Sequence, residues 1–143
     1  MAVVLTVSNH AKYQLAKKLI DLSADTLKII LMNAAFAFDK DTHATLALVT
    51  ASQLATEFGY TQNDETLGTV TLTEDDTNDY AIMACADVTF EADGGSIGPT
   101  GSAIIYDDTT ADDTVIGCID FGTDYTVEDG NLLVIEDIEI TVS

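Results

Sequence analysis

The chain has 143 residues, 47% of them apolar, with one proline, nine glycines and abundant Val, Ile and Thr; this composition excludes disorder and predicts one domain rich in strands. Twenty-five acids face five lysines and no arginine, for a formal net charge of −20. Such a field excludes nucleic acid and anionic membrane as expected partners, because proteins that bind phosphate-bearing surfaces neutralise them with Lys and Arg.

The charge is segregated. Lys12, Lys17, Lys18, Lys28 and Lys40 all precede residue 41, where the only acids are Asp21, Asp25 and Asp39, so residues 1–40 carry +2 and residues 41–143 carry −22. The opening "MAVVLTVSNHAK" holds an apolar stretch too short for a secretory signal and lacks an early basic residue. Nothing approaches the run of about 20 apolar residues that spans a membrane. A chain made in the cytoplasm and kept in solution is expected, with Cys85 and Cys118 as reduced thiols inside strand-like runs.

In chain order, "SNHAKYQLAKKLIDL" places Leu15, Leu19 and Leu22 at helical spacing behind an Asn9 cap, which predicts an amphipathic helix with lysines on its outer side. "TLKIILMN" reads as a buried strand and "AFAFDKD" as the loop that follows. "TASQLATEFG" has Thr50 and Gln53 at capping-box spacing and Gly59 at its end, predicting a short helix. From Thr66 the period becomes two: "TLGTVTLTE", "DYAIMACADVTFEA", "SAIIYDD", "TVIGCIDFG" and "NLLVIEDIEITV" read as strands separated by turn-forming Asp, Asn and Gly. Ile82, Ala84, Ala86, Val88 and Phe90 are expected on one face of their strand, and Val134, Ile138, Ile140 and Val142 on one face of theirs. The expected fold is α+β, mainly β: an antiparallel β-sandwich with one N-terminal helix and one short helix. Residues 1–143 form a single domain in this reading, with 1–60 a mixed docking part and 61–143 an antiparallel β-rich part.

Motifs for chemistry fail on context. Gly94-Gly95-Ser96-Ile97-Gly98 matches G-x-S-x-G in form, but a nucleophile elbow turns from strand to helix and is followed by its acid and histidine. Here Pro99, Thr100 and Gly101 lead into another strand, and His10 and His43 both precede Ser96. A phosphate cradle would need a cation, and none follows Lys40. His10, His43, Cys85 and Cys118 are too scattered for a zinc site. Calcium has oxygen ligands to choose from in Asp107, Asp108, Asp112 and Asp113, or in Asp75, Asp76, Asn78 and Asp79, although no EF-hand spacing is present. No catalytic, cofactor-binding or metal residue is therefore selected, and no cofactor is expected.

The runs "FAFDKDTHATLALVTASQLATEFGYTQ" and "GGSIGPTGSAIIYDDTTADDTVIGCIDFG" resemble small virion structural proteins of tailed bacteriophages over most of the chain, about residues 12 to 135. The resemblance implies a non-enzymatic particle component that decorates or cements the outer surface of a phage head. It further implies the major capsid protein as partner and a homo-oligomer, a trimer suiting local threefold sites. The alternative is a tail or fibre module that binds a host glycan, for which Tyr60, Tyr106 and Tyr125 are the aromatic candidates.

Overall fold

The computed structural model describes residues 4–143. In order, the chain forms strand β1 (Val4–Val7), helix α1 (Asn9–Ala16), β2 (Leu27–Asn33), helix α2 (Leu46–Val49) with a 3-10 turn at Thr50–Ser52, then β3 (Thr71–Asp75), β4 (Tyr80–Ala84), β5 (Val88–Glu91), β6 (Ile97–Asp107), β7 (Val115–Val127), β8 (Leu132–Ile135) and β9 (Glu139–Val142). The fold is mainly β with two helices, as the sequence predicts. Every pairing of strands is antiparallel.

The principal sheet has the order β1-β7-β6-β2, so strands from the first 40 residues flank the β6-β7 hairpin from the second half. Alternate residues of these strands face opposite sides, and both sides are apolar. Leu27, Ile29, Leu31, Ala103, Ile105, Ile116 and Ile119 face the larger core, while Ile30, Met32, Ile104, Tyr106, Val115 and Cys118 face the smaller one. Two small sheets, β3-β4-β9 and β5-β8, cover the larger core through Met83, Val88, Phe90, Leu133, Ile135, Ile138 and Ile140. Val49, Leu46, Phe36 and Phe38, from α2 and the segment before it, cover the smaller core. At Gly117 an added Cβ would meet the Thr6 carbonyl at 2.5 Å, so glycine there lets β1 lie against β7.

Several local expectations are corrected. Helix α1 stops at Ala16, not Leu22, and its cap is Ser8, not Asn9. Ser8 is fully buried: its Oγ accepts from Ala11 N at 3.0 Å and donates to the Val115 carbonyl at 2.5 Å, fastening the helix start to β7. Beyond the helix Lys18 takes φ +62°, Leu19 points outward, and Ile20 and Leu22 reach the core from irregular chain.

The short helix lies at Leu46–Val49 instead of within 50–59. Thr50 Oγ1 donates back to the Leu46 carbonyl at 2.7 Å, and Gln53 is extended because Met32 of β2 pairs with it as an isolated bridge. Gly59, at φ +91°, sits in the turn Glu57–Tyr60, not at a helix end. Tyr60 Oη accepts from Leu31 N at 3.0 Å and from Gln53 Nε2 at 2.9 Å, locking this segment along the β2 edge.

Two predicted long strands are each broken. "DYAIMACADVTFEA" becomes β4 and β5 in different sheets, with Met83 buried in the first and Val88 and Phe90 in the second. The buried parity thus switches across Cys85–Asp87, and Ala86 is exposed. "NLLVIEDIEITV" divides into β8 and β9 at Asp137, φ +53°, so Leu133 and Ile135 are buried before the break and Ile138 and Ile140 after it.

Replacing Ile104 by Ala in the sheet centre should cost about 2–5 kcal/mol in urea unfolding, against little change for Leu72→Ala on exposed β3. Tyr60→Phe should cost about 1–3 kcal/mol, since it strands two buried donors while leaving volume almost unchanged.

Candidate functional site

The glycine-rich segment is a connection between β5 and β6. Gly94 has φ +79° and Gly98 φ +108°, and a Cβ at Gly98 would meet the Tyr125 carbonyl at 2.6 Å, so the glycines serve turn geometry and close strand approach. Ser96 is exposed before the start of β6. His10 pairs with Asp112 at 2.8 Å beyond the far end of that strand, so on the order of 30 Å of extended chain separates it from Ser96. His43 stacks on Phe36, with ring centroids 5.2 Å apart, and its Nδ1 accepts from Asp39 N at 3.0 Å. The residues of the apparent elbow are not brought together with a base.

Cys85 and Cys118 are free thiols on opposite sides of the principal sheet. Burial pushes their pKa values up to about 11 and about 12, away from nucleophilic use. The Asp-rich turns are knit by their own carboxylates. Asp75 Oδ1 accepts from Thr77 N and Asn78 N, each at 3.0 Å, and Oδ2 accepts from Asn78 Nδ2 at 2.9 Å. Among the described residues no group of three or more His, Cys, Asp and Glu side chains converges as metal ligands.

The β6-β7 turn holds the one fully buried carboxylate among the described residues. Asp107 Oδ1 accepts from Thr109 N at 2.9 Å and Thr110 N at 3.3 Å, capping the turn. No N–H or hydroxyl donor among the described residues reaches Oδ2, and the Asp25 carboxyl lies within hydrogen-bonding reach of the Asp107 carboxyl. Burial first, and then the shared hydrogen bond with Asp25, push the Asp107 pKa up to about 7. Around it Lys28 Nζ pairs with Asp108 at 3.3 Å, and burial with the charges of Asp108 and Asp112 raises Asp113. The sequence offers Asp107 only as one of several oxygen ligands open to calcium and selects none; in the fold it is a buried turn cap beside a second carboxyl, which composition alone does not signal.

A concavity of about 1160 Å³ opens on the smaller-core side of the sheet between the 34–41 loop and residues 120–124 of β7. Its lining includes Ser102 and Cys118, the rings of Phe36 and Phe38, and the charged Asp39, Asp41, Asp120 and Asp124 with Lys40, which pairs with Asp41 at 3.0 Å. The β7 side of the groove exists because Ser102 pairs with Asp120 and Thr100 with Tyr125, so residues 121–124 bulge out of the ladder. Gly122, at φ +76°, turns that bulge, and its N–H is held by Asp120 Oδ1 at 2.9 Å. The groove offers carboxylates and aromatic surface, with its one ammonium, Lys40, tied to Asp41. Sequence analysis did not pick out this groove, since its two walls are about 80 residues apart.

Asp107 gives the fold a pH dependence with a definite sign. The folded state retains a proton that the unfolded chain, near pKa 3.8, has released, so stability falls as pH rises from about 4 to about 7 and stays reduced above. Asp107→Asn should raise the melting temperature at pH 8 and make little difference at pH 4, as read in parallel thermal melts across that range.

Comparison with protein-family models, with curated proteins and with solved structures finds no match to this chain.

Proposed function

We propose that this chain is a non-enzymatic virion structural protein that decorates or cements the outer surface of a phage head, with the major capsid protein as partner and as a homo-oligomer. The observation that carries the reading is the distribution of charge and exposed apolar surface on the folded chain. Lys12, Lys17 and Lys18 are exposed on α1 and the turn after it, beside Tyr13 (57% exposed) and Leu19 (52%), with Lys17 Nζ 5.0 Å from the Tyr13 ring centre. Among the described residues no carboxylate pairs with these three lysines, whereas Lys28 and Lys40 are tied to Asp108 and Asp41. The remaining surface is dominated by acids. The lysine-bearing side is suited to adhere to an acidic partner, and among the acids of the remaining surface Leu48, Phe58, Leu72, Tyr125 and Leu132 are also exposed.

A DNA-filled interior would repel a chain of −20, which favours the outside of a shell. The resemblance of residues 36–62 and 94–122 to small virion proteins supports the same reading. The glycan-binding alternative has less support, because Tyr60 and Tyr106 are buried and only Tyr125 of its three aromatic candidates is exposed.

Electron imaging of intact particles should find this chain on the head exterior; density confined to the tail or to the capsid interior overturns the placement. For the isolated protein, uncompensated acids repel over about 8 Å at physiological ionic strength and about 3 Å in molar salt. Its melting temperature should therefore rise with sodium chloride, and calcium at equal ionic strength should add little beyond that.

A further inference from the structure

We propose that this chain assembles head to tail with copies of itself, the lysine-bearing face of α1 on one copy seating in the acid-rimmed groove between the 34–41 loop and β7 of the next. The two surfaces match in chemistry. One offers Lys12, Lys17 and Lys18 around exposed Tyr13 and Leu19; the other offers Asp39, Asp120 and Asp124 around Phe36 and Phe38, with Asp41 on the same rim already paired to Lys40. Apolar centres ringed by opposite charge are what a specific interface requires, with the charges setting orientation and the apolar contact supplying most of the energy.

Both surfaces are held in shape before they meet. Leu19 cannot fold back, because its N–H is bonded to the Gln14 carbonyl at 3.0 Å and Lys18 N to Leu15 at 3.1 Å, closing the turn with Lys18 at φ +62°. Phe36 and Phe38 are braced by His43, at centroid distances of 5.2 and 5.9 Å. On the opposing rim the Asp120–Gly122 bond fixes the bulge that carries Asp124. Preformed surfaces lose little conformational freedom on docking.

A second copy is the occupant the charge favours. The exposed side of α1 is the cationic, apolar-studded patch of an otherwise acidic chain, and it is the complement of the groove. Ala11 and Leu15 of α1 pack on the larger core, whereas Cys118 and the two phenylalanines of the groove belong to the smaller one, and the helix starts at the groove's rim, where Asn9 N donates to the Lys40 carbonyl at 3.0 Å. Patch and groove are separate sets of residues, so one copy carries both halves of the contact. Such a heterologous contact propagates until rotation closes it into a ring. The inference shares with the proposed function the reading of α1 as the adhesive side and needs nothing about a phage.

Light scattering on the wild-type chain at tens of micromolar in dilute buffer should give a multiple of the 15.2 kDa chain mass, falling toward one chain in about 1 M salt. Lys12→Glu with Lys17→Glu should lose association, and so should Asp120→Lys with Asp124→Lys, while circular dichroism verifies that each remains folded. An equimolar mixture of the two variants should recover it, since native and reversed pairings are both attractive. A monomeric wild type, an oligomer that survives either double substitution, or a mixture that stays monomeric overturns the proposal. Binding to empty capsids, measured separately, decides the phage reading and has no part in this outcome.

Discussion

The central constraint is a sheet that is apolar on both faces. An antiparallel sheet ordinarily leaves one side to water and alternates accordingly, but β2, β6 and β7 bury side chains of both parities, so each face needs a cover. The two small sheets supply one and the 34–49 segment supplies the other. Burial of whole Ile, Leu and Met side chains, at about 1.5–3 kcal/mol each, outweighs the local preferences of the covering segments. That is why the 50–59 stretch gives up its helical spacing to pair with β2 and to place Tyr60 Oη against Leu31 N.

The second cover is shorter than the face it protects, and the groove follows from this. Phe36 and Phe38 close the middle of the smaller core, while Ser102 and Cys118 lie where the cover ends and β7 bulges away. The concavity is thus a consequence of unequal lengths in loop and hairpin, rimmed by acids because the loops on both sides are Asp-rich.

The turn-capping acids behave in two ways. Asp21, Asp39 and Asp75 accept backbone N–H bonds from the residues two or three positions on, and this chemistry lowers their pKa while leaving them in water. Asp107 makes the same turn inside the protein, where burial and the neighbouring Asp25 carboxyl reverse the effect. The difference is one of place and not of motif: Asp75 and Asp107 both begin an Asp-rich turn after a strand.

The sequence by itself determined the strand-rich class, the presence of an early helix but not its cap, end or buried face, the buried "KIILM" strand, the strands β6 and β7 with the turn between them and the segregation of charge, because period, composition and turn residues act locally. The strand that follows Gly101 and the order of the histidines also argued against a nucleophile at Ser96. Only the tertiary structure decided where the long period-two runs break, since Met83 and Val88 bury opposite parities in separate sheets and nothing within "ACAD" marks the switch. The helix shift to Leu46–Val49, the burial of Asp107 against Asp25 and the meeting of Phe36 with Asp124 across the groove were likewise decided there. Each depends on partners tens of residues distant, and which distant side chains share a surface is fixed by packing the two faces of one sheet, not by any spacing along the chain.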